Sequence, residues 1–170
     1  MDQECTENDQ GPPHPKAEVA GQPRYDVAIS FLSRDEPIAL EVLAKLSPQL
    51  SVFVYSKAQE ELAGTDGLES LRESFLLNAS LVTVLYRDGW GQTPWTRIEE
   101  SAIKDKCLQE GWDRLLFVSL DESSTPPTWL PRTELRLNLP EYGIEQLVGA
   151  AKMRVQSLRG QIRRETVLDR

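Results

Sequence analysis

The sequence predicts an α/β domain with a parallel sheet covered by helices on both faces. Four short apolar runs, rich in Val, Phe and Tyr, alternate with segments whose apolar residues repeat at helical spacing. A strand, a helix and a second strand in succession form a parallel pair, and right-handed crossovers place helices on both faces of the sheet. A fifth, weaker run alternates apolar and polar residues, which is typical of an edge strand.

These elements are consistent with a flavodoxin-like, doubly wound, five-stranded parallel sheet between residues 25 and 158. The predicted strands are 25–31, 51–55, 81–86, 115–120 and 134–139. The predicted helices are 38–46, 68–76, 95–103 and 144–158. Residues 1–24 are acidic and rich in Pro, and we expect a disordered tail. Residues 159–170 are rich in Arg, and we expect either a basic helix extension or a linker.

The charge balance argues against a nucleic-acid partner. The 170 residues include 19 Lys and Arg against 27 Asp and Glu, for a net charge of -8. A nucleic-acid binder needs a basic face, which this balance disfavours. No apolar run is long enough to span a membrane, and the N-terminus has no apolar signal segment. With only Cys5 and Cys107 and no disulfide framework, we expect a cytoplasmic protein.

The single histidine limits the available chemistry. His14 lies between prolines in the predicted tail, a segment unsuited to holding a rigid site. Zinc sites built on several histidines are excluded, and a Ser-His-Asp or Cys-His mechanism would depend on this one residue. No dinucleotide-binding or P-loop fingerprint is present either. We therefore expect no metal ion and no bound cofactor, and chemistry carried by carboxylates, hydroxyls and backbone dipoles.

The third predicted helix places a carboxylate toward the sheet. Thr93 or Pro94 can begin this helix, because Pro is tolerated in a first turn. Trp95 then lies near the carboxyl end of the sheet, where open α/β sheets bind ligands. At about 100° per residue, Glu99 falls on the same inward stripe one turn later, whereas Glu100 falls outside it.

An inward carboxylate loses hydration unless it is paired or used by a ligand. A structural ion pair of Glu99 with Arg34 or Arg97 therefore stays open as an alternative to a functional role. For the outward Glu100, the spacing favours an ion pair with Lys104.

Three segments resemble the Toll/interleukin-1 receptor (TIR) domain family. Residues 25–35, YDVAISFLSRD, resemble the first box of TIR domains. Residues 94–99, PWTRIE, resemble the Trp-x-x-x-Glu of the third helix in enzymatic members. Residues 129–131, WLP, resemble a late box of many bacterial members. The resemblance spans about residues 25–158 and implies a bacterial TIR domain of the NADase type.

The resemblance also implies an activity and a site. Enzymatic TIR domains cleave the nicotinamide–ribose bond of NAD+ and release nicotinamide with linear or cyclic ADP-ribose. The family's catalytic Glu corresponds to Glu99. The implied substrate-binding region comprises the loops after the first two strands and the start of the third helix, from which we select Phe31, Leu32, Ser33, Arg34, Tyr55, Lys57, Trp90 and Trp95. The resemblance further implies self-association into an oligomer or filament, in bacterial anti-phage defence.

The candidate site residues are compatible with this chemistry, and several of them also have purely structural interpretations. A carboxylate stabilises an oxocarbenium-like centre, and nicotinamide leaves without needing a proton, so no His is required. Arg34 matches pyrophosphate oxygens, with a surface ion pair as its alternative. Trp90 and Trp95 can each stack on a base or simply pack in the core.

At the level of the whole protein, one alternative is a non-catalytic TIR module that acts as a scaffold or adaptor. A nucleoside deoxyribosyltransferase-like enzyme is a chemical neighbour of the NADase interpretation, because a Glu works on an N-glycosidic bond there too.

Overall fold

A computed structural model describes residues 22–58, 63–134 and 136–168. Residues 1–21 of the predicted tail lie outside this part of the chain. The strands are β1 (Tyr25–Ser30), β2 (Val52–Phe53), β3 (Ala79–Tyr86), β4 (Leu115–Ser119) and β5 (Leu137–Asn138). The helices are α1 (Glu36–Leu46), α2 (Gly67–Leu76), α3 (Pro94–Glu110) and α4 (Leu139–Leu168), the last kinked at Gly143.

The five strands form one sheet in the order β2-β1-β3-β4-β5, and every neighbouring pair is parallel. The prediction of a flavodoxin-like, doubly wound sheet is therefore confirmed. After β1 the chain forms β2 on one side of it and then crosses to form β3 on the other. Ligand sites of open α/β sheets lie at the carboxyl ends of the strands beside such a switch point. We therefore expect a ligand site near the carboxyl ends of β1 and β3.

Side-chain alternation along β1 divides the core between the two faces of the sheet. Val27 and Ile29 pack with residues of α1 and α4 on one face. Ala28 packs with residues of α2 and α3 on the other. Because successive side chains of a strand point to opposite faces, Ser30 shares the face of Ala28 and is fully buried there. The first strand thus ends with a hydroxyl on the α3 side.

Helix α3 has a well-defined start. Thr93 is its N-cap, and its hydroxyl accepts a hydrogen bond from the backbone N–H of Thr96 at 3.2 Å. Pro94 occupies the first turn, where its missing N–H leaves no helical bond unmade. Of the two predicted start residues, Thr93 is therefore the cap and Pro94 is the first residue of the helix. With this start, helical spacing places Glu99 on the side of α3 that faces the sheet.

Helix α4 continues beyond the predicted domain end at residue 158. Residues 159–168 are part of the same helix, so over this range the basic segment is helical. Arg159 pairs with Asp26 at 2.7 Å, which joins the helix to the start of the sheet. Within the described residues, no helix has the length and apolar character needed to cross a membrane.

Candidate functional site

A cleft of about 310 Å³ lies at the carboxyl end of the sheet beside the switch point. Side chains from the end of β1, the start of α1, the turn after β2 and the first turns of α3 line it. They are Phe31, Ser33, Glu36, Tyr55, Ser56, Thr93, Trp95, Thr96 and Glu99. Five of these, Phe31, Ser33, Tyr55, Trp95 and Glu99, are among the residues that the sequence analysis selects.

Glu99 is buried in this cleft and has no ionic partner among the described residues. Its exposed fraction is 6%, and the Ser30 hydroxyl donates a hydrogen bond to its Oε2 at 2.5 Å. Among the described residues, neither alternative ion pair of Glu99, with Arg34 or with Arg97, is present. The Arg34 guanidinium instead donates to the backbone carbonyl of Asp88 at 3.2 Å. Burial raises the pKa of Glu99 to about 8, and the hydrogen bond from Ser30 only partly opposes this effect. The free site therefore favours the neutral carboxyl at pH 7.

Ser30 is oriented by Trp90. The indole Nε1–H donates to the Ser30 hydroxyl oxygen at 2.8 Å. An indole nitrogen can only donate, so Ser30 accepts from Trp90 and its own proton is free to point at Glu99. Trp90 is 4% exposed and packs edge-on against Tyr86, with ring centroids 6.0 Å apart. Trp90 thus acts on the site through Ser30.

A conformationally special glycine allows the turn between Trp90 and α3. Gly91 has a φ of +81°, which L side chains rarely adopt. A Cβ built there would lie 2.8 Å from the Oε2 of Glu100.

The outward Glu100 accepts a hydrogen bond from the Nε1–H of Trp129 at 2.6 Å, so its partner is Trp129 and not the expected Lys104. Glu99 and Glu100 are adjacent in sequence, but their carboxyl groups have different partners, the Ser30 hydroxyl and the Trp129 indole.

Two aromatic side chains form a wall at the mouth of the cleft. The rings of Tyr55 and Trp95 lie 5.3 Å apart at an angle of 35°. Trp95 remains 45% exposed although it is a large apolar side chain. Phe31 completes the aromatic lining. Partly exposed aromatic rings beside a buried carboxyl are compatible with a flat, cationic ring as ligand, because such a ring can stack on aromatic side chains and its charge favours ionisation of the carboxyl.

The other four selected residues do not line the cleft. Leu32 is buried and packs in the same core cluster as Trp90. Arg34 binds the loop after β3, as described above. Lys57 is exposed at the end of the turn that follows β2. Of the loop that continues from there, residues 59–62 lie outside the described part of the chain.

Sequence reasoning did not select several polar residues of the site. The position of Ser30 could have been predicted, since it ends the first strand and strand alternation places its side chain on the α3 face. Glu36 and Ser56 follow the ends of the first two strands, where open α/β sheets bind ligands, but the direction of each side chain depends on how the chain turns there. The Ser56 hydroxyl is buried, and no described residue forms a hydrogen bond with it. Buried polar groups are nearly always paired, so this hydroxyl needs a partner that the described residues do not supply.

The described lining of the cleft contains no Lys or Arg. The nearby Arg87 is engaged by Asp35 at 2.8 Å and lies 3.8 Å from Asp121. Over the ranges that the structure describes, no group of His, Cys, Asp and Glu side chains could hold a metal ion. The described lining offers two carboxyl groups, those of Glu36 and Glu99, together with hydroxyls and aromatic rings, so cations for an anionic ligand must come from other residues.

Comparison with known proteins identifies the fold. No protein-family model matches the chain, and no curated protein matches it. A solved structure that is similar is the TIR domain of the Toll-related receptor TRR-2 from Hydra magnipapillata, with a TM-score of 0.55 and 17% sequence identity. The match covers 79% of this chain and 98% of that one. The chain therefore has the fold of a TIR domain.

Proposed function

We propose that this protein is an NAD+ glycohydrolase or ADP-ribosyl cyclase that cleaves the nicotinamide–ribose bond of NAD+. The observation that supports the proposal most is the placement of Glu99, a buried carboxyl without an ionic partner among the described residues, in a cleft walled by Tyr55 and Trp95. A carboxyl that loses hydration without gaining a cation weakens the fold unless a ligand supplies the charge. The nicotinamide ring of NAD+ is planar and cationic, so it suits both the wall and the carboxyl.

The proposed chemistry uses the charge of the substrate. A cationic ring beside Glu99 lowers the pKa of the carboxyl, so binding favours release of its proton. As the glycosidic bond breaks, its electron pair goes to the nicotinamide nitrogen and positive charge develops on the ribose. The ionised Glu99 stabilises that charge in a water-poor site, where electrostatic interactions are strong. Nicotinamide departs as a neutral molecule and needs no general acid.

Self-association is the second part of the proposal. The two phosphates of NAD+ need cationic donors, and the described lining of the cleft supplies none. A second copy of the chain that brings Lys or Arg side chains to the cleft would complete the site. We therefore expect dilute monomer to have low activity and the rate per molecule to rise with protein concentration. A rate per molecule that is constant from nanomolar to high micromolar protein contradicts this part.

Chromatography of the products tests the central claim. Concentrated wild-type protein incubated with NAD+ should release nicotinamide together with ADP-ribose or its cyclic isomer. Glu99→Gln keeps the size of the side chain and removes the charge, and we expect at least about a 10³-fold loss in kcat. Glu100→Gln on the same helix is the matched control and should retain activity. Equal activity of Glu99→Gln and wild type would exclude Glu99 as the catalytic carboxylate.

A non-catalytic TIR module is the second candidate, and the cation-free described lining of the cleft favours it. In that case Glu99 is a neutral, structural carboxyl satisfied by Ser30, and the exposed Trp95 serves protein contacts. Assembled protein that binds its partner copies but never releases nicotinamide would support this function. We also propose a cytoplasmic location, on the basis of the two cysteines without a disulfide framework, and a role in bacterial anti-phage defence, on the basis of the TIR resemblance.

A further inference from the structure

Glu36 is a second carboxylate in the cleft of Glu99. It is the first residue of α1 and lines the cleft beside Ser33 and Tyr55. Among the described residues, no side chain forms an ion pair or a hydrogen bond with it. Its negative charge near a helix N-terminus is favourable for α1, but that interaction does not require it to lie in the cleft.

The two carboxyl groups have different environments. Glu99 is 6% exposed at the base of the cleft, whereas Glu36 is half-buried and in contact with solvent. Enzymes that break glycosidic bonds use two carboxyl groups whose surroundings separate their roles. The buried group acts on the sugar as the bond breaks. The group that contacts solvent is suited to act on water.

We infer that Glu36 is the general base that activates the attacking water, an inference that rests on the proposed NAD+ cleavage. Water oxygen forms a bond to the anomeric carbon of the ribose, and the carbon–nitrogen bond electrons remain with nicotinamide. Glu36 accepts the proton that water loses and later returns it to solvent. The products are neutral nicotinamide, ADP-ribose and one proton, so charge and atoms balance.

This role separates two reactions of the same site. Hydrolysis needs a base, because water becomes a good nucleophile only as it loses a proton. Exchange with free nicotinamide needs none, because the ring nitrogen attacks the ribose with its own electron pair. Loss of the base therefore slows hydrolysis and leaves exchange almost unchanged.

The experiment measures both reactions with the full chain at high protein concentration. Isotope-labelled nicotinamide is added with NAD+, and label entering NAD+ is followed beside ADP-ribose release. For Glu36→Gln we expect hydrolysis to fall about 10²-fold and exchange to change less than about threefold. Glu41→Gln, which alters an exposed carboxylate of α1 outside the cleft, should leave both rates unchanged.

The possible failures are distinguishable. If wild-type protein releases no nicotinamide from NAD+ by hydrolysis or cyclisation and catalyses no exchange, the proposed NAD+ cleavage is wrong, and this inference is wrong with it. If it forms only the cyclic product, cleavage stands and the role of Glu36 as the base for water is overturned. If wild type is active and Glu36→Gln lowers both rates equally, raises KM alone or has no effect, only the role of Glu36 is overturned. An unchanged melting temperature of Glu36→Gln would show that a selective loss of hydrolysis is not a folding defect.

Discussion

Helix α3 buries one carboxyl and one ammonium on the same inward stripe, at opposite ends of the sheet. Lys106 is 1% exposed, and its Nζ donates to the Leu76 carbonyl and to both carboxylate oxygens of Glu110, each at 3.1 Å. Glu99 is similarly buried, but its side-chain hydrogen bond comes from a neutral hydroxyl. Burial lowers the pKa of Lys106, and the Glu110 carboxylate opposes that shift.

The difference separates a structural charge from a candidate functional one. A buried ion that keeps a counter-ion and hydrogen bonds is compatible with a stable fold. A buried carboxyl without a counter-ion favours its neutral form and is poised to respond to a cationic ligand. The contrast can be tested at both ends of α3.

The largest expected effect is a pH-dependent penalty from Glu99. Its pKa rises from 4.5 in the unfolded chain to about 8 in the folded protein, so between these values only the unfolded chain releases the proton. Its contribution to the free energy of unfolding therefore falls by up to about 1.4 kcal/mol per pH unit, or about 4 kcal/mol between pH 5 and pH 8.

Urea unfolding of wild type and Glu99→Gln at both pH values measures this penalty. We expect the variant to gain stability relative to wild type as the pH rises, because Gln has no proton to release. A stability difference that is the same at both pH values contradicts the raised pKa.

Removing the other buried charge should have the opposite effect. Lys106→Ala leaves Glu110 and the Leu76 carbonyl without their donor, so we expect the free energy of unfolding at pH 7 to fall by about 3 kcal/mol. Lys104→Ala on the same helix is the control and should change it by less than about 0.5 kcal/mol. A loss below about 1 kcal/mol for Lys106→Ala would show that its ion pair with Glu110 contributes no more to stability than an exposed surface pair does.

Ser30→Ala tests whether the hydroxyl tunes Glu99. The hydrogen bond from Ser30 lowers the pKa of the carboxyl, so its loss should move the pH midpoint of kcat/KM upward. Trp90→Phe removes the donor that orients Ser30, and we expect a smaller shift in the same direction. If the pH midpoint stays in place while activity falls at every pH, Ser30 acts only through packing.

The smallest effect is expected at Ser56. Ser56 lines the cleft, and its hydroxyl has no partner among the described residues. If bound NAD+ supplies that partner, Ser56→Ala should raise KM for NAD+ about threefold to tenfold with kcat unchanged. The variant should be as stable as wild type, since the described residues give this hydroxyl no hydrogen bond. An unchanged KM would show that the ligand does not reach Ser56.

Local sequence patterns predicted much of the fold and part of the site. Strand and helix periodicities predicted the five parallel strands, and helical spacing predicted the inward direction of Glu99. The partner of Glu99 was not predicted, because it lies on β1 and the pairing depends on how α3 packs on the sheet. The same holds for Glu100, whose partner Trp129 follows β4 and replaces the local pair with Lys104. Spacing within one element determines a direction, whereas contacts between elements require the assembled sheet.

The two outer strands are very short, and this limits how copies of the chain can join. β2 and β5 each span two residues, so the sheet presents few unpaired backbone groups at its edges. Copies that associate have little edge to extend into a continuous intermolecular sheet. An oligomer would be held by side chains and loops and would dissolve on dilution, unlike a cross-β fibril. The proposed self-association would then be reversible, so that any activity depending on it would fall again when the copies separate.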